Sequence, residues 1–276
     1  MTEAEGGGWR ERARDIVGLV EAARPDVVCL QELWFNGEDA QQQQHHQDTL
    51  QDEESMLALF RRRLGDRYDF FGCRRPWGKA DGCLTLVRTG RFVVEEEGHL
   101  RLSWLSARVA HCFIIVTATV TITITIAIAI LRELHNLLAH LHALSTRRDV
   151  PIVLCGDFNA EPADPLYLFL VAAGFASSFR ALHGREPGCT HRNHRGEDVA
   201  CDYIWLRQPT PPLQRAAGGS RRSGGTSGNK EVDEQRQWRP EAAFLLPRHV
   251  PDDQWPDAFA TSDHRPLYAR YRLARL

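Results

Sequence analysis

The chain has 276 residues, 43% of them hydrophobic, and its 34 basic and 36 acidic side chains leave a net charge of −2. A chain of this length buries about 73% of its unfolded surface, enough for one large α/β domain or two small ones, and its charge balance excludes a polycationic nucleic-acid coat. Its seven cysteines are scattered and lack a C-x-x-C pair, which argues against a disulfide framework or zinc ribbon and fits reduced intracellular thiols.

The start, MTEAEGGGWRERARD, has no apolar h-region, so no secretory signal is read and the expected location is cytoplasmic. Ala13, Ile16, Val17 and Val20 recur at i, i+3, i+4 and i+7, which predicts an amphipathic helix over 10–23, ended by Pro25. Val27–Leu30 reads as a short buried strand. The tract Gln41–Gln44 with His45 and His46 reads as a loop insertion rather than a metal site. Met56, Leu57, Phe60 and Leu64 mark a second helix, and strands are predicted at 67–71, 83–88, 91–95 and 109–120.

Residues 112–131 form a twenty-residue uncharged run, long enough to cross a bilayer. Valine, isoleucine and Ala118 hold one parity from Val116 to Ile130, however, and threonines fill most of the other. That alternation predicts a long strand, and no membrane span is expected. A third helix is predicted over 131–144, a strand at Val150–Cys155, a short helix at Pro165–Ala172, and strands at Asp202–Leu206 and Leu267–Tyr271. Residues 208–240 are rich in Pro, Gly, Ser and Arg without periodicity, which predicts a disordered insertion in a single domain spanning 9–276. Helices alternating with mixed strands predict a layered α/β sandwich.

Four segments place acid, amide or imidazole groups at the end of an apolar strand, as a rigid sheet presents ligands at one edge. In PDVVCLQELW, Glu32 could hold a hard cation; taken alone it reads equally as a solvent-facing acid. In VPIVLCGDFNAEP, Asp157 and Asn159 could serve a phosphodiester, or could cap backbone in an Asx turn. In CTHRNHRGEDVACDYIWL and TSDHRPLYARY, Asp202 heads one strand and Asp263-His264 precedes another. A carboxylate bonded to an imidazole fixes its tautomer and makes it a general base. His191, Arg192, His194 and Arg195 fit phosphate contact or plain exposure.

In this order, LQE, CGDFNAEP, CDYIWL and SDHRPLYA resemble the endonuclease/exonuclease/phosphatase superfamily with the DNase I-like fold. The stretch DGCLTLVR points towards its nocturnin and poly(A)-deadenylase branch. The pairing of CTHRNHRGEDVACDYIWL with FLLPRHVPDDQWPDAFATSDHRP resembles a plant and algal subgroup of phosphoesterases. Some members of that subgroup carry EF-hands; this chain lacks the EF-hand loop pattern, so no such calcium site is expected.

The resemblance implies a four-layer α/β/β/α sandwich of two mixed sheets and a Mg²⁺-dependent phosphoesterase, with Mn²⁺ as a substitute. RNA or a nucleotide is the implied substrate class; sphingolipid and inositol phosphates are the alternatives. By matching position, Glu32 would bind the metal and Asp263 would assist metal or phosphate binding. His264 would be the general base, oriented by Asp202. Asp157 would position the attacking water, and Asn159 would hold the scissile phosphate, with His191, Arg192 and Arg195 as further substrate contacts.

Two departures from the family pattern predict weakened turnover, and with it a second reading as a phosphate-ligand-binding member. The family's opening strand, with its asparagine, is expected to be missing, because only MTEAEGGG precedes Trp9. Thr119 also stands where the family carries a histidine, while that histidine's acidic partner corresponds to Asp81. Losing one such donor costs about 10²–10³ in turnover.

Overall fold

Helix α1 (Gly8–Ala23) buries Ala13, Val17 and Val20, the stripe that its periodicity marks. It stops where Arg24 enters the left-handed region with φ 47° ahead of Pro25. Helix α2 (Met56–Leu64) starts at Ser55, whose side chain accepts the backbone N–H of Ala58, a standard N-cap bond. Its Leu57, Phe60 and Leu64 close with α1 over strands β1 (Val27–Trp34), β2 (Tyr68–Arg74) and β3 (Asp81–Arg88) into one core. These strands form an antiparallel sheet in the order β1-β3-β2.

A computed structural model describes residues 8–35, 55–74, 81–100, 111–117, 121–127, 138–139, 150–209, 236–255, 257 and 261–275. Further along the chain come β4 (Val93–Leu100), β5 (His111–Thr117), β6 (Thr121–Ala127) and β7 (Ile152–Asp157). Helix α3 (Pro165–Ala172), β8 (Ala176–Ser177) and helix α4 (Ser178–His183) follow. The small hairpin β9 (His191–Arg192) and β10 (Asp198–Val199) leads into β11 (Asp202–Arg207). The last two strands are β12 (Arg236–Leu245) and β13 (Leu267–Arg275).

The larger sheet runs β4-β5-β6-β7-β11-β8, and β12 pairs with β13. Only the β6–β7 contact in the larger sheet is parallel among the described strands. Its outer face packs under α3, where Phe158, Tyr167, Tyr203 and Trp205 form a buried aromatic cluster. Its inner face receives β1 over β6 and β7, and β13 over β11. At the first of these junctions the Cys155 thiol is hydrogen-bonded to that of Cys29; this bond and burial push the Cys155 thiol up. The layers are therefore helix, sheet, sheet, helix, as expected from the sequence.

Three elements differ from their expected form. The uncharged run 112–131 is not one long strand: β5 lies within the strand expected at 109–120, and β6 is a second strand paired antiparallel with it. A single strand of twenty residues would reach roughly 65 Å, far beyond the partners available to it. Among the described residues no helix is long and apolar enough to cross a membrane. Second, residues 236–240, read as the end of the insertion, begin β12, and Gln208 brackets Trp238 through both its backbone groups. Pro240 is accommodated where the β12–β13 register shifts, since proline is tolerated at bulges. Third, β13 continues past Tyr271 to Arg275.

Residues 210–235 of the expected insertion, Thr119 and most of the third predicted helix lie outside the described residues, although 138 and 139 are helical. The expected absence of an opening strand also falls there, in residues 1–7. Among the described residues no strand joins β1 to β13.

Candidate active site

Strands β7 and β11 deliver two carboxylates side by side. Asp157 and Asp202 are register partners, at the end of one strand and the start of the other. Gly156, just before Asp157, has φ 145°, a setting that suits a residue without Cβ. The Asp157 carboxylate accepts the backbone N–H of Asn159 at 2.8 Å and its side-chain amide at 3.0 Å. The Asx turn is thus formed, and Asn159 sits at φ 47°, an αL position that asparagine tolerates. Burial raises the pKa of Asp157, and the neighbouring charge of Asp202 raises it further, against the opposing Asn159 N–H and His264.

His264 precedes β13 and points its Nδ1 at Asp202 Oδ2, 3.0 Å away. Its own N–H donates to Ser262 Oγ at 3.0 Å, which fixes the backbone on which the ring is mounted. Burial pulls the His264 pKa down, but the bond to Asp202 and the fields of Asp202, Asp157 and Asp263 outweigh it, giving a value of about 9. The carboxylate holds the ring's Nδ1 and leaves Nε2 for a proton-transfer partner, the arrangement expected of an oriented base.

Thr190 supports this pair and is not among the residues singled out above from the sequence. Fully buried, its hydroxyl accepts the backbone N–H groups of Cys201 and Asp202 at 3.0 and 3.1 Å. Arg265 is a second buried support: its N–H donates to Thr190 O at 2.7 Å, and its guanidinium pairs with Asp252. The signal that could have found them is polarity at positions flanked by site residues, Thr190 before His191 and Arg265 after His264.

Glu32 comes from the other sheet. The β1–β3 register shifts between Leu30 and Leu33, and Glu32 has φ 55°; it is an exposed residue on a bulge. Bulges re-aim side chains next to active sites, and a left-handed glutamate is strained backbone of the kind that gathers there. Asp81 is buried at the start of β3, opposite Trp34. Its expected relation to Thr119 lies outside the described residues.

The sequence-predicted substrate contacts separate. His191 is drawn in: its ring stacks on that of His264 with centroids 4.0 Å apart. Arg192 sends its guanidinium to Asp198 at 2.7 Å, and Arg195 and His194 lie exposed on the β9–β10 turn. Neither arginine is joined to the Asp157–Asp202–His264 group by a bond among the described residues. For a cation, His191, Asp263 and His264 offer ligand atoms within 4.8 Å of one another, and so do Cys201, Asp202 and His264. Glu32 belongs to neither group; the carboxylate of Asp263 suits a hard divalent ion, and the imidazoles also admit Mn²⁺.

Three comparisons place this geometry among known proteins. The model of the endonuclease/exonuclease/phosphatase family matches residues 3–264. An uncharacterized calcium-binding protein of Arabidopsis thaliana is 27% identical over 232 residues, covering 73% of this chain and 45% of that protein. Nocturnin of Xenopus laevis is 26% identical over 241 residues, covering 76% of this chain and 57% of nocturnin. The chain therefore spans about half the length of these relatives. The solved mannosyl-6-phosphatase of Bacteroides thetaiotaomicron has the same fold, with a TM-score of 0.67 at 17% identity over 98% of this chain and 93% of that one.

Proposed function

The chain belongs to the endonuclease/exonuclease/phosphatase family, and from that premise we propose that it is a divalent-metal-dependent phosphoesterase acting on a phosphate ester of RNA or a nucleotide. The observation that supports this most is the 3.0 Å Asp202–His264 pair set beside Asp157 on the neighbouring strand. The likeness to nocturnin and the sequence DGCLTLVR favour the RNA or nucleotide class over sphingolipid and inositol phosphates.

In this reading Asp202 holds His264 at Nδ1, and Nε2 of the neutral ring, the form that a bound cation's positive charge would favour over the protonated one, takes a proton from the attacking water. Asp157 orients that water, its own two oxygens fixed by Asn159. The second amide hydrogen of Asn159 is the group that serves a phosphate oxygen. Glu32 and Asp263 are the residues that would hold the cation. Bound there, it would neutralise charge developing on the phosphate.

The test is hydrolysis of bis-para-nitrophenyl phosphate and of a short oligoadenylate by the purified chain. Mg²⁺ or Mn²⁺ is expected to support turnover and EDTA to stop it. His264→Ala should lower kcat by about 10²-fold or more, the usual worth of a general base. Full activity in EDTA overturns the metal role, and an undiminished His264→Ala overturns the base.

A further inference from the structure

His191 belongs to β9, whose short run pairs with the loop that carries His264. Arg192 N–H donates to Asp263 O at 3.1 Å, and Arg265 N–H donates to Thr190 O at 2.7 Å. These two bonds flank the bridge between His191 and His264, making them a directly opposed, non-hydrogen-bonded antiparallel pair. That is the cross-strand site where side chains come closest. The two imidazoles meet there face to face, centroids 4.0 Å apart and planes 20° from parallel.

The His191 ring is itself tethered. Its Nδ1 lies 3.0 Å from the Asp263 carbonyl oxygen, which can only accept, so Nδ1 carries the proton and donates. The anchor of the His191 ring is thus the residue immediately before His264, and the two rings share one backbone frame. A single bond from Nδ1 to Asp202 leaves the His264 ring free to rock about that contact. A flat neighbour against one face removes this freedom. We propose that His191 is the positioning residue for His264: its stacked ring sets the plane of the base and thereby the direction in which Nε2 faces.

This inference rests on the reading of His264 as the base, so its test has an arm that needs no turnover. The variants are His191→Ala, which removes the ring, and His191→Phe, which keeps a flat face but has no nitrogen to bind phosphate, metal or the Asp263 carbonyl. With bis-para-nitrophenyl phosphate and Mg²⁺, His191→Ala is expected to lower kcat about tenfold with KM changed less than about twofold, as misorientation of a reacting group predicts. His191→Phe is expected to restore kcat to within about threefold of the parent. In metal-free protein, the low-field proton signal of His264 Nδ1 should persist in the parent and in His191→Phe and broaden away in His191→Ala.

An unchanged kcat in His191→Ala overturns the proposal, as does a His191→Phe variant as slow as the alanine one. A raised KM at constant kcat overturns it in favour of a substrate contact. If the parent shows no turnover at all, the phosphoesterase reading fails, while the Nδ1 proton still decides whether His191 holds the ring.

Discussion

The hydroxyl of Thr190 carries more than its size suggests, because two backbone donors converge on it at the start of β11. Thr190→Val keeps the shape and removes the acceptor, leaving buried N–H groups without a partner. The expected cost is about 1–3 kcal/mol of stability, read as a lower urea midpoint, together with reduced turnover as Asp202 loosens. An unchanged midpoint would show that water replaces the hydroxyl. His264 offers a pH signature in the metal-free chain. Its pKa rises from 6.5 to about 9 on folding, so the folded state holds its proton more tightly. The stabilisation is complete below pH 6.5 and disappears as pH climbs through about 9. Urea midpoints should therefore fall across that window, and His264→Ala should flatten the fall. If Thr119 stands where the family resemblance puts a histidine, Thr119→His should raise kcat by about tenfold or more while moving KM little.

Close backbone approach governs the strands that frame the site. A Cβ on Gly82 would lie 2.1 Å from the Cys73 carbonyl oxygen, whereas one on Gly18 in α1 meets nothing within 4 Å. Gly82→Ala should therefore cost about 2–3 kcal/mol, and Gly18→Ala should add up to about 1 kcal/mol. Thermal or urea unfolding of both variants checks the contrast. Periodicity announced α1, α2 and the buried strands, because each has one apolar stripe facing one core. Residues Asp157, Asp202 and His264 were legible for a related reason: polar groups that end an apolar strand stand out from it. Strand β12 escaped notice because its pairing with β13 comes from distant residues, and Arg236, Arg239, Pro240 and Glu241 obscure any alternation. That the uncharged run 112–131 contributes to two strands was equally hidden, since alternation reports a strand's faces and not where the chain turns back. The stacking of His191 on His264 depends on the β9 bridge, a contact between segments more than seventy residues apart.

At the scale of the whole molecule, the proposed site draws on three sheets. Asp157 and Asp202 stand on the largest, His264 precedes β13, and Glu32 rides on β1. No single sheet holds the full proposed set, so in that reading activity depends on how the layers are seated as well as on whether each is folded. Layers held by packing alone can part at lower cost than strands can unzip. In a urea series, activity is therefore expected to vanish before the far-ultraviolet dichroism changes; coincident curves would mean one cooperative unit. The thiol-to-thiol contact of Cys29 and Cys155 turns this into a clock. Cys155 on β7 is buried against Cys29 of β1, so a bulky alkylating reagent is expected to reach it when the layers separate. Its labelling rate should accelerate in step with the loss of activity. A Cys155 that reacts only when the dichroism falls would show that the two sheets come apart together with their strands.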